Sequence, residues 1–399
     1  MNYLNKYTLV LSFFLLTSNI SFAQFSYLEG DAQFSRVYQS KILNDHVFIV
    51  GYIENQNGFV IKKDMQGNTF WQVDLAHDFL PRNIAVISDT LVVVGHSRNF
   101  NSSTNSKIAS IKDFGLSANL IAQKELNHQG REQFTEIINN PNNPNTFIVQ
   151  HFYPGDDVMV IEFDINLNVV SNMNYDGGDD QFWLGLRGDQ STMTLLGNMG
   201  GFSSGCYVEL NSDYTVNKAY RYTNVSTTYD YLDLATDRKL IAGFTTNQVG
   251  HLFQVDENGD VDYSIQFTGT RIFRHVELDS HVATPNGFVE TLYLRGEETA
   301  TGNTNVIKLE VINTNGVYSH NILFAKVIED GSTNMIHATF DMNDDYLVFA
   351  DARRGSQDSY GDYDILLNIT DHDINICNCL LYTSPSPRDQ RGSRMPSSA

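Results

Sequence analysis

The chain has 399 residues, of which 47 are acidic and 26 are basic, and its formal net charge is −21. So acidic a protein repels polyanions, which argues against nucleic acid and anionic lipid as partners. The three cysteines, Cys206, Cys377 and Cys379, are too few for a dense disulfide framework, and no cysteine–histidine spacing resembles a zinc site.

The first residues have the pattern of a secretory signal. Lys6 supplies a positive charge, Thr8–Thr17 forms a short apolar core, and Ser21-Phe22-Ala23 suits a signal peptidase. The apolar run is too short for a permanent membrane anchor. We therefore expect residues 1–23 to be a signal peptide cleaved near Ala23. The mature chain is then secreted or held at the cell surface, without membrane insertion.

A unit of aliphatic and β-branched residues, often closed by a small residue, recurs seven times along the chain. Its copies are HVFIVG, TLVVVG, TFIVQH, TMTLLG, RKLIAG, GFVETL and DYLVFA. They end at Gly51, Gly95, His151, Gly197, Gly243, Leu292 and Ala350. A spacing of about 50 residues is typical of a repeat architecture.

A second unit follows each copy: a strand and then a polar turn. The turns start at Asp64, Asp113, Asp164, Asn211, Asp256, Asn313 and Thr370. Asp or Asn there can accept hydrogen bonds from backbone N–H groups just ahead, and Gly67, Gly259 and Gly316 suit the left-handed conformation of a tight hairpin. The turns lack the alternating carboxylates, central Gly and distant Glu of a calcium loop, so we interpret them as hairpin turns.

Each period also contains a strand-like segment before the first unit, such as SRVYQSKI, and another after the hairpin, such as WQVDL. That makes four short strands per period and no helical pattern. Four antiparallel strands repeated every 40 to 50-odd residues, roughly, are typical of a β-propeller blade. We therefore predict an all-β fold, a seven-bladed β-propeller over residues 24–378. The alternative, two β-sandwich domains, would lack a common period and should show a linker.

The mature N-terminus carries a strand that has no blade of its own. The segment QFSYLEGDAQFSRVYQ aligns with YSIQFTGTRIFRHVE at residues 263–277, where an outer strand runs into the next inner strand. We expect Gln24–Leu28 to complete the seventh blade, whose other three strands lie between about Met335 and Asn368. This strand would close the ring.

The block GFVIKKDMQGNTFW and its shorter echoes resemble the repeats of secreted bacterial propellers of the quinoprotein-like type, which are abundant in Bacteroidota. The resemblance implies a propeller that often precedes further modules. Quinoprotein enzymes carry a fuller docking signature in most blades, whereas only Trp71 follows a hairpin here, so no quinone cofactor is expected. A sialidase Asp-box is not matched, because Lys62 and Gln66 flank Asp64 where that motif needs Ser or Thr and Gly.

One face of a propeller collects the loops between blades and the loops between second and third strands, and ligands usually bind there. Long connections of the latter kind span 97–106, 294–305 and 350–363. The candidate ligand-binding residues of this face are Asp156, Asp157, Asp176, Asp179, Asp180, Trp183, Arg353, Arg354 and Tyr360. Carboxylates beside an aromatic ring could bind a sugar, hold a calcium ion or supply an acid–base pair, although solvated acidic loops are commoner.

Three further positions have competing interpretations. His151 replaces the Gly of other repeats, and a packed core histidine is favoured over a catalytic one. Asp371-His372-Asp373 lies at a turn, where metal binding is the minor alternative, and we predict no metal site. Cys206 is interpreted as a small buried hydrophobic residue. No Ser–His–Asp or Cys–His catalytic set can be placed.

Two hypotheses for function follow. The favoured one is a noncatalytic, monomeric module of a larger surface or secreted protein that binds a protein or glycan or acts as a rigid spacer. The rival is a carbohydrate-active hydrolase or lyase that uses paired carboxylates at the mouth of the tunnel.

Residues 379–399 have neither the strand rhythm nor the acidity of the rest. Cys379–Asp389 resembles, residue for residue, the translation of a transposase-type sequencing adapter, and Ser393–Ala399 matches the flow-cell end of the same adapter. A genuine Pro/Ser-rich linker would reproduce both stretches only by accident. We therefore expect residues 379–399 to be disordered read-through, and the natural gene to differ beyond Cys377.

Overall fold

The computed structural model describes residues 25–29, 35–53, 57–76, 78–97, 105–126, 132–152, 158–175, 181–189, 192–199, 204–234, 238–267, 270–298, 304–329, 339–354 and 363–374. Over these residues the regular elements are 28 β-strands, which form seven four-stranded antiparallel sheets. The protein is a seven-bladed β-propeller, as predicted. Within the described ranges no helix is long and apolar enough to cross a membrane.

The first strand along the chain, β1 (Phe25–Glu29), belongs to the last blade. Blade 1 contains β2 (Ser35–Leu43), β3 (His46–Ile53), β4 (Gly58–Asp64) and β5 (Thr69–Asp74). Blade 2 contains β6 (Phe79–Ile87), β7 (Thr90–Ser97), β8 (Ser106–Asp113) and β9 (Ala118–Leu126). Blade 3 contains β10 (Gln133–Asn139), β11 (Thr146–Phe152), β12 (Val158–Asp164) and β13 (Val169–Tyr175).

Blade 4 contains β14 (Gln181–Asp189), β15 (Thr192–Met199), β16 (Ser204–Leu210) and β17 (Val216–Tyr222). Blade 5 contains β18 (Val225–Leu234), β19 (Arg238–Thr245), β20 (Gly250–Val255) and β21 (Val261–Phe267). Blade 6 contains β22 (Thr270–Thr284), β23 (Gly287–Glu298), β24 (Thr304–Thr314) and β25 (Val317–Glu329). Blade 7 contains β26 (Thr339–Met342), β27 (Leu347–Arg354), β28 (Tyr363–Thr370) and β1.

The first strand of each blade is the inner strand. Successive inner strands pack against one another from β26 through β2, β6, β10, β14 and β18 to β22, and so surround a central channel. The apolar core lies between neighbouring blades. One cluster joins Phe48 and Val60 of blade 1 to Ile84 and Val93 of blade 2. Because blades are covered on both faces, a middle strand such as β7 is buried along nearly all of its length.

The ring is closed by the N-terminal strand, which confirms that prediction. β1 pairs antiparallel with β28, with Phe25 opposite Ile369 and Glu29 opposite Ile365. Joining the last blade to the start of the chain covers the edge that β28 would otherwise expose.

A β-bulge interrupts the inner strand at the same place in blades 1 to 6. The residues that directly follow it are Gln39, Asn83, Glu136, Gly185, Asp230 and His275. The residue before the bulge faces the last residue of the repeat unit, usually Gly. A Cβ at Gly95 would lie 2.0 Å from the carbonyl oxygen of Leu80, so the backbone of blade 2 leaves room only for Gly at this position, whereas blade 3 has His151 there.

Blade 6 requires a correction to the sequence alignment. The predicted unit ends at Leu292, but the residue opposite the pre-bulge Phe273 is Gly296. The reason is that β22 and β23 are longer than their counterparts, so the run GFVETL lies in an extension of the blade.

The hairpin-turn interpretation is confirmed. Asp64 Oδ1 accepts hydrogen bonds from the backbone N–H groups of Gln66 and Asn68, at 2.9 and 2.8 Å, and Asp164 and Asp256 make the same pattern. The predicted left-handed glycines have φ of 81°, 79° and 81° at Gly67, Gly259 and Gly316. In blade 7 the turn opens at Asp371, one residue after the predicted Thr370, because Asp371 accepts from the N–H groups of Asp373 and Ile374.

Candidate functional site

The structure does not test most of the predicted site residues. Asp156, Asp157, Asp176, Asp179, Asp180 and Tyr360 lie outside the described residues. For Trp183, Arg353 and Arg354 only the backbone is described. Trp183 lies in β14, and the two arginines end β27, so they belong to a strand and not to the predicted loop 350–363. A ligand-binding role for this set stays a prediction.

The described residues bring a different set of polar side chains together in the central channel. We call this set the channel cluster. It comprises Lys41, Asn83, Glu136, Arg187, Asp230, His275, Glu277 and Asp341, which all seven inner strands supply. The cluster has four carboxyl groups against one arginine and one lysine, so its formal charge is negative, and burial lowers the pKa of Lys41. Its members interact electrostatically across the channel, and Arg187 influences the charge state of most of them.

The bulge decides which side chains belong to the cluster. Asn83, Glu136, Asp230 and His275 directly follow the bulge in their strands. Lys41, Arg187 and Glu277 lie two residues beyond the post-bulge position. Because side chains in a strand alternate between its two faces, these two positions project to the same side. The result is two layers of polar groups along the channel.

Asp230 is the best-satisfied carboxylate of the cluster. Its Oδ1 accepts from Arg187 Nε at 2.7 Å and from the backbone N–H of Tyr231 at 3.0 Å, and its Oδ2 accepts from the N–H of Val276 at 3.1 Å. Burial opposes ionisation of this carboxyl. The charge of Arg187 and the hydrogen-bonding contact with the His275 ring outweigh burial and lower the pKa of Asp230 to about 2. It is therefore a fixed negative charge that ties blades 4, 5 and 6 together.

Asp341 and Glu136 also have protein partners. Asp341 Oδ2 accepts from the backbone N–H of Ile42 at 2.5 Å, which joins blade 7 to blade 1. Glu136 Oε2 accepts from Asn83 Nδ2 at 2.5 Å. Burial raises the pKa of both carboxyls, that of Glu136 to about 7, despite the nearby charges of Arg187 and Lys41.

Glu277 differs from the other three carboxyls. Its side chain has no hydrogen-bond partner among the described residues. Burial, together with the negative charges of Asp230 and Asp341, raises the pKa of Glu277 to about 8. At neutral pH it is therefore mostly a neutral acid. Burial also lowers the pKa of the neighbouring His275, so that imidazole is neutral as well. Glu277 is therefore a carboxyl group in the channel that a ligand could engage.

The remaining predicted positions have structural roles. His151 is fully buried, with its ring 5.1 Å from that of Phe134, which confirms the core interpretation. Cys206 is a free, buried thiol, also as predicted, and burial raises its pKa to about 12. The described part of the chain contains no group of three His, Cys, Asp or Glu side chains placed to hold a metal ion.

His372 joins blades 6 and 7. Its Nδ1 lies 2.5 Å from Asp279 Oδ1 and its Nε2 lies 2.9 Å from the carbonyl oxygen of Asn343. Tyr293 donates its hydroxyl to the His372 carbonyl. Both ring nitrogens are thereby used, so the His372 side chain serves packing between blades.

The sequence contained a signal for the channel cluster that loop length does not reveal. Charged residues occur inside segments predicted to be inner strands, as in YDYLDLA and FRHVEL. A charge in a strand that should be covered on both faces indicates either a buried pair or a polar channel. The predicted sites concentrated on loops, and these strand residues were missed.

No protein-family model matches the chain, and no curated protein matches it. Its fold is similar to solved structures at low identity. The β-propeller domain of the Trilobed protease from Pyrococcus furiosus is 12% identical, with 80% of this chain and 92% of that chain covered and a TM-score of 0.45. The AfRom2 CNH domain is 10% identical, with 87% and 99% covered and a TM-score of 0.43.

Sqt1 from Chaetomium thermophilum is 9% identical, with 86% of this chain and 99% of that chain covered and a TM-score of 0.49. These likenesses support no argument about function. The assignment to the propeller fold rests on the strand pairing described above.

Proposed function

We propose that this protein is a noncatalytic β-propeller binding module, exported from the cell, that recognises a basic group of a protein ligand in its central channel. The proposal rests on Glu277, a channel carboxyl group that has no hydrogen-bond partner among the described residues. The channel cluster around it has more carboxyl groups than basic groups. The N-terminal signal pattern supports export. The acidic composition of the chain would also steer a basic partner towards it.

The chemistry of the cluster favours a cation over an anion. Asp230, Asp341 and Glu136 already accept hydrogen bonds from protein groups, which leaves Glu277 to bind the incoming group. An ammonium or guanidinium group beside Glu277 would favour its ionised form and lower its pKa. Binding would then release a proton, and affinity would rise with pH until Glu277 is ionised in the free protein.

Titration calorimetry with a Lys- and Arg-containing peptide, and with an acidic peptide of the same length, tests this proposal. We expect only the basic peptide to bind, more tightly at about pH 8 than at about pH 6, with release of about one proton. Glu277→Gln should weaken binding about tenfold and abolish the pH dependence. Glu257→Gln, at an exposed hairpin turn, is the matched control. Equal binding of both peptides, or an unchanged affinity in Glu277→Gln, would contradict the proposal.

A carbohydrate-active hydrolase is the second candidate, and one observation favours it. Asp230 and Glu277 interact electrostatically while their pKa values lie near 2 and 8, which is the separation expected of a base and an acid in one site. Against it, both oxygens of Asp230 already accept hydrogen bonds. Turnover of a chromogenic glycoside that is lost in both Asp230→Asn and Glu277→Gln would favour the enzyme. No turnover across a glycoside panel would count against it.

The acidic residues predicted on the loop face need a separate test, because a glycan ligand would bind there. Glycan-array binding of the wild type and of the Asp179→Ala, Asp180→Ala double variant makes the comparison. If the variant binds as the wild type does, this pair is removed from consideration.

A further inference from the structure

A groove opens in the outer wall of the ring between blades 4 and 5. We call it the blade 4–5 groove. One side is formed by the end of β17 and residues 223–225, and the other by β20, β21 and the hairpin turn at Gly259 and Asp260. Its volume is about 450 Å³, within the range of pockets that hold small molecules. The groove lies on the outer strands, away from the channel cluster on the inner strands.

His251 lines this groove and lacks any partner among the described residues. His251 is only 7% exposed, and both of its ring nitrogens are buried without a hydrogen bond. The hydroxyl of Tyr222, on the opposite side of the groove, is buried and unpaired as well. Each such group costs roughly 1–3 kcal/mol if it stays unsatisfied, so these groups are rare in folded proteins unless something binds them.

The equivalent position in blade 2 is occupied by a buried polar residue that has protein partners. Lys107 faces Gly95 across its strand pair as His251 faces Gly243. Lys107 is buried too, but it forms an ion pair with Asp78. It forms a second ion pair with Glu125, whose Oε2 lies 3.2 Å from Lys107 Nζ. Blade 2 thus satisfies its buried polar residue internally, whereas blade 5 leaves His251 facing the groove.

The groove combines aromatic surface with groups that both donate and accept hydrogen bonds. The Phe253 ring lies 5.1 Å from the His251 ring and 4.9 Å from the Tyr222 ring. Gln266 is directly opposite His251 in the register, and Ser264 is opposite Phe253, so all four residues of blade 5 project from one face. Burial lowers the pKa of His251 to about 4, so at neutral pH its ring offers one donor and one acceptor.

We propose that the blade 4–5 groove is a binding site for a neutral, hydroxyl-rich ring, that is, a pyranose sugar. Hydroxyl groups both donate and accept, and so do the neutral imidazole, the tyrosine hydroxyl, the serine and the glutamine that line the groove. The ring of Tyr222 is partly exposed and suits the weakly positive C–H groups of a sugar ring, and the fully buried Phe253 packs behind it. Arg221 and Asp260 carry opposite charges on the lining, which gives no net attraction for a charged ligand.

Saturation-transfer NMR and calorimetry of the full chain with a panel of methyl pyranosides test this site. We expect at least one pyranoside to bind, and its addition to shift the imidazole nitrogen signals of His251. His251→Phe should weaken binding at least about tenfold, and Tyr222→Phe should weaken it severalfold, since each removes hydrogen bonds to the sugar. Tyr263→Phe, whose hydroxyl faces His320 outside the groove, should bind as the wild type does.

The proposal would be overturned if no pyranoside binds the wild type. It would also be overturned if a pyranoside binds the wild type and binds His251→Phe and Tyr222→Phe equally well. Preference for a neutral aromatic compound such as indole over every pyranoside would overturn the sugar assignment. Tyr222→Phe removes a single oxygen atom, so it keeps the test decisive if His251→Phe fails to fold. Glu277→Gln should leave sugar binding unchanged, which separates this site from the channel.

Discussion

Replacing Arg187 with Met removes the cation that faces Asp230 across blades 4 and 5 while keeping most of the apolar stem. Asp230 is 2% exposed and its Oδ1 lies 2.7 Å from Arg187 Nε. Breaking a buried pair by removing one partner costs about 3–5 kcal/mol, because a buried charge is left uncompensated. Arg187 is 32% exposed to the channel, and Asp230 keeps its bonds to two backbone N–H groups. We therefore reduce the expected loss in the free energy of unfolding to about 2–3 kcal/mol.

Chemical denaturation of the wild type and of Arg187→Met at neutral pH measures this loss. The pKa of Asp230 is lower in the folded protein than its ordinary value, so its ionisation stabilises the fold above about pH 4, and this contribution is lost as the pH falls towards about 2. Without Arg187 the pKa of the buried Asp230 rises, so the variant takes up this proton at a higher pH than the wild type does, and the difference between the two proteins should narrow as the pH falls. Adding Asp230→Asn should restore most of the lost stability, and Arg221→Met at the exposed surface is the control. A loss below about 0.5 kcal/mol, or a double variant with additive losses, would refute the reasoning.

Three further predictions concern stability. Deleting residues 24–29 should lower the melting temperature sharply, because the edge of β28 loses its partner strand. An unchanged melting temperature would contradict the closure of the ring by the N-terminal strand. Glu277 has a raised pKa in the folded protein, so the wild type should lose stability as the pH rises from about 4.5 to about 8, by up to about 1.4 kcal/mol per pH unit, relative to Glu277→Gln. Parallel pH profiles of the two proteins in chemical denaturation would contradict this. Gly95→Ala should destabilise the fold more than Gly115→Ala. A Cβ at Gly95 would overlap the Leu80 carbonyl, whereas a Cβ at Gly115 would meet open space and the only cost there is the left-handed φ of 86°. Equal melting temperatures for the two alanine variants would show that the bulge relaxes without cost.

The features that could be predicted from sequence are those that local chemistry controls. The hairpin turns follow from Asp or Asn at the first position, because these side chains bond their own backbone wherever the turn lies in the fold. The blade count follows from the period of the repeat. The closing strand could be recognised because Gln24–Leu28 has the pattern of an outer strand but lacks the rest of a blade.

Blade 6 shows where pattern matching fails. Its run GFVETL has the same residue types as the other units, but it lies in the extended part of β23, and Gly296 occupies the equivalent position. Residue type along one strand does not state where that strand pairs with its neighbour.

The sequence by itself determined the all-β class, the seven repeats and the turns, since each depends on residues close together in the chain. It also indicated the closing strand, because that segment has the pattern of an outer strand, although its partner β28 lies at the other end of the chain. Only the tertiary structure decided which polar groups meet. A bulge reverses the alternation of side chains by one residue, and this shift directs Asp230 and Glu277 into the channel. The groove at His251 likewise exists because blade 5 packs against blade 4 and provides no partner for that ring among the described residues. Such contacts join residues from different blades, and no local pattern specifies them.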